Sequence, residues 1–472
     1  MLALFLGISA DIDLFILAQI IPAIIASVIA GGAGETLISY RKKTTNINEN
    51  ITPLFVSIVI LSTVLLCLIY LVFSPLFLSF FELSTERIEL FMLMTILILL
   101  SKIPGAIVSS LQYLVFLKDK YNYFIFASLI SELVGLALIL IFIEQYGIIT
   151  FPIAALATSL INALFFIFVI DLNVKAIFDR EEWRSNKEHI RTLIKQTSTL
   201  GLQTLITYLS QFWERIISFK FMTTGYLSAL NYSKKLTEYP KMIMLSSLLT
   251  TSYIEQIKRR ENQTSYLGYS NSIQKIIGEI SFVFQIAGIL FGPFLLIYIF
   301  NRGAFDENAV ELTLALYQLL SVGFLPGILL NFLSRTMFIE QEYKKLLYLS
   351  IIRFTVEVVL MSVLLKFTIY SIPIALITSK FIISILLFII LNGKNPGIFN
   401  RRHFALTYTS ILILSFIIIM MNNYFLPELL SMPKEDLLLI YLPMGLAYGI
   451  ILFIIFRRRY TGLVKKLNIF RR

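Results

Sequence analysis

Apolar stretches long enough to cross a membrane recur from one end of this sequence to the other. A transmembrane helix needs about 20 predominantly apolar residues. Only 15% of the residues are charged, against about 25% in soluble domains, and the longest polar interval, roughly 173–190, is too short to bury a core. We therefore predict an all-α integral membrane protein with thirteen spans, at residues 12–38, 53–80, 88–117, 121–143, 148–170, 192–221, 226–257, 273–300, 309–339, 345–366, 369–391, 404–425 and 437–456.

Lysines and arginines are divided unevenly between alternate loops. Twenty-six lie in the loops and C-terminal tail on one side, and five lie on the other. Cytoplasmic loops carry the Lys/Arg excess, so the C-terminus is predicted to be cytoplasmic. This asymmetry accounts for most of the net charge of +11, which therefore does not predict a nucleic-acid partner. Attraction of the basic tail to anionic membrane lipids is an alternative explanation of its charge.

The residues that carry catalytic or metal chemistry are few. The single cysteine, Cys67, lies in an apolar run, and the two histidines, His189 and His403, fall in basic loops. No His, Cys and carboxylate cluster has metal-ligand spacing, and phosphate-binding glycine motifs and nucleophile elbows are missing from the sequence. We expect neither a cofactor nor an enzymatic activity. A membrane-embedded glycosyltransferase would need a catalytic group on a sizeable extracytoplasmic loop, and the loops on that side are short.

Two segment pairs indicate an internal repeat. The segment "GISADIDLFILAQIIP", which starts at Gly7, is matched 218 residues later by "GYLSALNYSKKLTEYP". Further on, "FPIAALATS" at 151–159 is matched by "IPIALITSK" at 372–380. Transporters are often built from such repeats, with the substrate site between them. The repeat predicts two homologous six-helix lobes and two extra helices with a basic tail, at 1–173, 174–392 and 393–472.

The repeat also predicts a helix that precedes the first residue. The span at 192–221 has its counterpart at about −26 to 3 when the offset of 218 is subtracted. We expect that the chain lacks most of this helix, and that the intact architecture has fourteen spans with both ends inside.

With the repeat and its charged segment in view, the chain resembles the MurJ (MviN) lipid II flippases of the multidrug/oligosaccharidyl-lipid/polysaccharide exporter superfamily. "YSKKLTEYP" is similar to that family's Tyr-Ala-Asp-Arg-Leu-x-x-x-Pro segment. The stretch at 301–338, "NRGAFDENAVELTLALYQLLSVGFLPGILLNFLSRTMF", is similar to its Arg-Gly-Ala-Phe loop and the Leu-Pro helix that follows. Asp13 falls at the aspartate of its Asp-Ala-Phe-Phe segment.

The sequence departs from this family at several arginines. The family's first-helix arginines would precede residue 1. Its paired arginines in the following helix correspond to Ala26 and Ser27, and its Asp-Arg pair corresponds to Lys234-Lys235.

The charged segment "ALNYSKKLTEYPKM" is the main candidate site. On a helix, Lys234, Lys235, Glu238 and Lys241 occupy one stripe of roughly 120°. A charge at the bilayer centre costs roughly 2.5–3.5 kcal/mol, so the stripe is predicted to face a water-filled interior. The lysines would bind a pyrophosphate-linked headgroup as point charges, and Glu238 would position them. In the alternative interpretation, Lys234 and Lys235 snorkel to the outer interface.

Other charges lie within predicted spans. Four are further candidates for the substrate site or its support: Asp13, Lys102, Glu214 and Arg215. A structural role for them stays open, particularly for Asp13 near the outer end of its span. Arg353 and Glu357, four residues apart, are predicted to form a structural ion pair.

Together these features predict a flippase that moves a polyprenyl-pyrophosphate-linked saccharide across the bacterial inner membrane by alternating access. The resemblance implies a role in peptidoglycan or polysaccharide biosynthesis of the cell wall, with membrane lipids and cell-envelope biosynthesis proteins as further partners. Two alternatives stay open. One is a drug or cation antiporter of the same superfamily, which would favour net acidic cavity residues. The other is a degenerate paralogue that does not transport.

Overall fold

The computed structural model is helical and divides into two compact units. The first unit comprises Ala10–Thr224, and the second unit joins Gly225–Arg472 to the residues before Ala10. The structure describes residues 7–30, 33, 37, 51–117, 121–170, 173–240, 246–300, 305–340, 342–433 and 435–450.

The described helices of the first unit are α1 (Ala10–Ala18), α2 (Ile20–Ala30), α3 (Ile51–Ser79), α4 (Thr85–Leu117), α5 (Tyr121–Tyr146), α6 (Thr150–Ile170), α7 (Arg180–Ser185) and α8 (Lys187–Phe221). Only Gln19 separates α1 from α2, and Pro22 follows three residues later. Proline has no N–H to donate to the carbonyl four residues earlier. The first predicted span therefore begins as two short helices.

The first unit is held together mainly by α4 packing on α3 and α6, α5 packing on α6, and α2 packing on α8. A buried apolar cluster that includes Leu54, Phe166 and Leu193 joins α3, α6 and α8. Where α2 and α8 cross, a methyl group at Gly201 would overlap the carbonyl oxygen of Val28. Glycine lets the two backbones approach closely at this point.

The C-terminal end of α8 is also anchored within the first unit. Lys220 donates a hydrogen bond to the carbonyl oxygen of Phe80 at 3.0 Å, and its Nζ lies 4.1 Å from the centre of the Phe80 ring. By packing, α8 is thus part of the first unit, whereas the repeat assigns it to the second lobe. Packing divides the chain at 224/225, and the repeat-based boundary at 173/174 stays a prediction.

The described helices of the second unit are α9 (Tyr226–Pro240), α10 (Ser246–Arg259), α11 (Gln263–Leu295), α12 (Glu307–Val322), α13 (Phe324–Ile339), α14 (Tyr343–Leu364), α15 (Ser371–Lys394) and α16 (Arg401–Ser431). Residues 435–450 are also helical. Helix α11 packs along α16, α14 packs on α15, and α9 packs on α12.

Helices α12 and α13 form a bent pair, with an angle of 43° between them. Gln285 of α11 binds both sides of the break: it donates to the carbonyl of Val322 at 3.0 Å and accepts from the N–H of Leu325 at 2.9 Å. Its amide also donates to Ser415 Oγ of α16 at 3.0 Å. Because unpaired backbone groups are costly inside an apolar bundle, this amide makes the break stable.

Charged and aromatic groups fix α14, α15 and α16 in the second unit. Arg353 and Glu357 form the predicted ion pair, with 2.8 Å between Nε and Oε1, which confirms that prediction. Glu357 is 1% exposed and also accepts a 2.6 Å hydrogen bond from Ser379. The rings of Phe388 and Phe404 stack with centres 3.9 Å apart, which joins α15 to α16.

The all-helical membrane class is confirmed, but the count of thirteen spans is not. Among the described residues, eight segments are long and apolar enough to cross a membrane, or nine if the bent pair forms one span. The predicted spans at 192–221 and 226–257 form helices α8, α9 and α10. Those helices are absent from the eight segments. Helices α9 and α10, of 15 and 14 residues, are too short to cross a membrane alone, and the polar and charged residues of α8 lower its hydropathy.

Equivalent positions of the repeat have equivalent local structures. Gly7 and Gly225 both have positive φ, of 63° and 87°, a conformation that favours glycine. Pro152 and Pro373 are both the third residue of their helices, α6 and α15. A first-turn N–H needs no helical acceptor, so proline is tolerated at this position.

Candidate functional site

The charged stripe is presented by a helix whose other face is buried. In α9, the side chains of Lys235 and Glu238 are exposed and that of Lys234 is partly buried, while Ser233 and Thr237 are buried. Residues 226–240 are therefore helical, as the prediction of a charged stripe requires. The fourth member, Lys241, lies outside the described residues, and the predicted pairing of Glu238 with the lysines stays a prediction.

Side-chain hydrogen bonds hold the buried face of α9 in place. Tyr226 donates to the carbonyl of Ile369 at 2.6 Å, and Tyr232 donates to the carbonyl of Gly7 at 3.1 Å. Ser233 Oγ lies 2.8 Å from the carbonyl oxygen of Thr313 in α12. Since these contacts fix the rotation of α9 about its axis, they also fix the direction in which the charged face points.

The other four candidates lie in the first unit, on helices that pack on one another. Helix α1, which carries Asp13, packs on α4 with Lys102 and on α8 with Glu214 and Arg215. Asp13 and Glu214 are each 4% exposed. Arg215 donates from Nη1 to the carbonyl oxygen of Ile16 at 2.8 Å. The structure thus gathers four dispersed sequence positions on three packed helices.

Two cations approach each other in this group. Lys102 and Arg215 are close enough to interact electrostatically, and Arg215 interacts also with Glu214 and Tyr208. Arg215 is partly buried, and its hydrogen bond to the Ile16 carbonyl compensates for part of its loss of contact with water. Such a group can attract an anion or hold α1, α4 and α8 together.

Sequence reasoning missed the carbonyl of Ile16 and the side chain of Tyr208. Tyr208 lies seven residues before Arg215, which places it two turns away on the same face of α8, so helical spacing could have identified it. The Ile16 contact uses a main-chain oxygen, and no residue type marks such an acceptor in a sequence.

Seven of the eight candidates are thus described, in two places: Lys234, Lys235 and Glu238 lie in the second unit, and Asp13, Lys102, Glu214 and Arg215 lie in the first. Their joint contribution to a single cavity stays a prediction. Ser27 stands at one of the positions where the related family has an arginine. Its hydroxyl donates to the carbonyl of Ile24 at 2.8 Å, so its hydrogen bond is made within its own helix.

The described residues contain eight apolar helical segments long enough to cross a membrane, which defines a multi-pass membrane protein. The family model described as lipid II flippase MurJ matches residues 2–441, and the chain belongs to this family. The predicted family membership is therefore confirmed. No curated protein matches the sequence.

Solved structures show the same fold. "Lipid II flippase MurJ, inward closed conformation" is 18% identical with a TM-score of 0.72, and the match covers 97% of this chain and 95% of that one. An inward-facing multidrug resistance MATE transporter of the MOP superfamily is 14% identical with a TM-score of 0.61, and 82% and 90% of the two chains are covered. A MOP superfamily transporter from Pyrococcus furiosus is 16% identical with a TM-score of 0.60, over 82% and 88%.

Proposed function

We propose that this protein moves a polyprenyl-pyrophosphate-linked saccharide across the bacterial inner membrane by alternating access. Membership of a flippase family supports the class of activity. The observation that carries the substrate assignment is the charged face of α9, with Lys235 and Glu238 exposed opposite a hydrogen-bonded face. The saccharide headgroup crosses through the protein, and the prenyl chain stays in the bilayer.

The charged face suits a phosphate-bearing headgroup for an electrostatic reason. Charges are costly on a lipid-facing surface, so Lys234, Lys235 and Glu238 gain by facing water and substrate. Lysine binds phosphate oxygens as a point charge with three donors. Binding of this kind is reversible and involves no covalent step, which a transporter that must release its cargo requires.

The cations of the first unit form a separate candidate for phosphate binding. Lys102 and Arg215 lie on helices α4 and α8, which both pack on α1, and each cation can attract a phosphate oxygen. Asp13 and Glu214 limit the net positive charge, which keeps the site from holding the pyrophosphate too tightly.

A cation or drug antiporter is the second candidate, because the MATE transporter structure shares this fold. The described charges of the α9 face are two lysines and one glutamate, and a net positive face repels a cationic substrate. This charge favours the lipid-linked anion.

The test is delivery of a lipid-linked saccharide to the outer face of cells that lack their own flippase, measured per molecule of protein. Lys235→Arg should keep delivery because it keeps the charge. Lys235→Ala and Lys235→Glu should reduce delivery by about tenfold or more, the effect of losing about 1.4 kcal/mol of substrate binding.

Lys366→Ala serves as the matched control, since Lys366 is an exposed lysine outside α9 and its loss should change nothing. Normal delivery per molecule by Lys235→Ala would contradict the substrate site and favour the snorkelling interpretation. A wild-type chain that delivers no saccharide, although abundant and folded, would contradict the proposed function itself.

A further inference from the structure

A cavity of about 380 Å³ lies within the first unit, between α2, α3 and α8. Most of its walls are apolar, with Phe55 and Val59 of α3 on one side and Leu202 and Leu205 of α8 on the other. Its volume falls in the range typical of ligand sites, about 300–1,000 Å³. The close crossing at Gly201 and Val28 forms part of its wall.

The lining residues come from the same end of all three helices. Val28 is near the end of α2, Phe55 is in the second turn of α3, and Ile194 is in the first third of α8. By the loop charges, this end faces the cytoplasm. The cavity thus lies at the level of the inner leaflet, where a lipid-linked substrate is loaded.

One polar group inside the cavity has no hydrogen-bond partner among the residues that the structure describes. Thr197 is 7% exposed and lines the cavity, and its hydroxyl makes no hydrogen bond within the part of the chain that the structure describes. A helical threonine ordinarily bonds the carbonyl one turn back. An unsatisfied buried hydroxyl costs about 1–3 kcal/mol, so the site favours a ligand that brings an oxygen to this depth.

A basic residue of α8 lies beyond the cavity, on the side that the loop charges place toward the cytoplasm. Arg191 is exposed and lies one turn before Ile194 and two turns before Ser198, on the same face of α8. Along α8, Arg191 precedes the lining residues, which are Ile194, then the hydroxyls of Thr197 and Ser198, and then Leu202 and Leu205. A polyprenyl pyrophosphate has its phosphate at one end and hydrocarbon beyond it, in the same direction as the cation and the two leucines.

We propose that this cavity binds the first isoprene units of the substrate's polyprenyl chain, with the pyrophosphate held near Thr197 and Arg191. The proposal rests on the proposed function, which supplies the lipid. It deepens that function by assigning the chain a fixed site on the first unit during loading, separate from the headgroup site on α9.

The test is photocrosslinking of the full chain in nanodiscs of phosphatidylethanolamine and phosphatidylglycerol. Benzoylphenylalanine replaces Leu202, which lines the cavity and is 53% exposed, or, as the matched control, Leu164 of α6, which is 55% exposed and does not line it. The probe is radiolabelled polyprenyl pyrophosphate. We expect about tenfold more crosslinking at position 202, with unlabelled polyprenyl pyrophosphate as an effective competitor and added phosphatidylglycerol as an ineffective one.

Two results would overturn the proposal. Equal crosslinking at the two positions would mean that the cavity is ordinary lipid-facing surface, and competition by phosphatidylglycerol alone would mean that it holds a phospholipid chain. Crosslinking needs no transport, so a chain that shows the expected pattern and yet delivers no saccharide would contradict the proposed function and leave the lipid site standing.

Substitutions separate the two parts of the site. Ser198→Phe should fill the cavity and reduce crosslinking at position 202 several-fold, whereas Ser159→Phe, at a partly exposed serine of α6 that does not line the cavity, should not. Arg191→Gln should weaken competition by polyprenyl pyrophosphate and leave competition by polyprenol, which has no phosphate, unchanged. An equal effect of Arg191→Gln on both competitors would contradict the phosphate position.

Discussion

At the residue scale, buried charges in this protein are stabilised by fixed partners. Glu357 accepts from the guanidinium of Arg353 at 2.8 Å and from the hydroxyl of Ser379 at 2.6 Å, while Arg215 donates to a main-chain carbonyl. A charge removed from water needs such partners to remain ionised. The Arg353–Glu357 pair and the Glu214–Arg215 pair, both within apolar segments of the sequence, therefore have different surroundings.

The Arg353–Glu357 pair gives a prediction about stability. Arg353→Met should destabilise the protein by about 3–5 kcal/mol because it leaves the Glu357 carboxylate buried without its cation. The double variant Arg353→Met with Glu357→Met should recover most of this loss, since no buried charge remains. Thermal unfolding in detergent measures both, and a double variant no more stable than the single one would contradict the explanation.

At the element scale, one helix crossing and one helix break each depend on a particular residue. Helix α2 meets α8 at Gly201, and the α12–α13 break is bound by Gln285 of α11. Both features bring backbone polar groups into an apolar bundle, where each N–H and carbonyl needs a hydrogen-bond partner.

The crossing of α2 and α8 is tested by adding a single methyl group. Gly201→Ala should destabilise the first unit by about 1–3 kcal/mol because the methyl group overlaps the Val28 carbonyl and forces the helices apart. Gly268→Ala is the matched control: Gly268 lies in α11 with open space around a methyl group, so alanine there should stabilise by up to about 1 kcal/mol. Equal shifts in the unfolding temperature would contradict this account.

The break between α12 and α13 is tested at Gln285. Gln285→Leu keeps the approximate volume but leaves the Leu325 N–H, the Val322 carbonyl and the Ser415 hydroxyl without this partner, at about 1–3 kcal/mol for each group that stays unsatisfied. Gln263→Leu, at an exposed position of the same helix, should change little. Thermal stability in detergent compares the two, and hydrogen exchange at Leu325 should rise only in the first.

At the scale of the whole molecule, the chain is organised as two compact units. The charges of its loops predict its orientation in the membrane. The first unit includes α8, although the sequence repeat groups this helix with the second lobe. Packing rather than repeat order therefore decides which helices form a unit, because the Gly201 crossing and the Arg215 and Lys220 contacts all anchor α8 to residues before 100.

The orientation in the membrane is tested by cysteine labelling in intact cells. In a Cys67→Ser background, Ser431→Cys should react with an impermeant thiol reagent and Ser185→Cys should not, because the lysine and arginine distribution places residue 185 inside. Both serines are exposed in the structure, so access to the reagent depends on the side of the membrane. The reverse pattern would contradict the predicted topology, while labelling after permeabilisation controls for reactivity.

Sequence alone determined the helical membrane class, the family and the charged face of α9. These properties follow from local patterns: apolar length, the spacing of motifs, and the 100° rotation per residue that places Lys234, Lys235 and Glu238 on one side. The sequence did not reveal the position of α8, the Ile16 carbonyl that binds Arg215, or the cavity at Thr197. Each depends on contacts between residues far apart in the chain, at distances that no local pattern encodes, and so only the tertiary structure decided them.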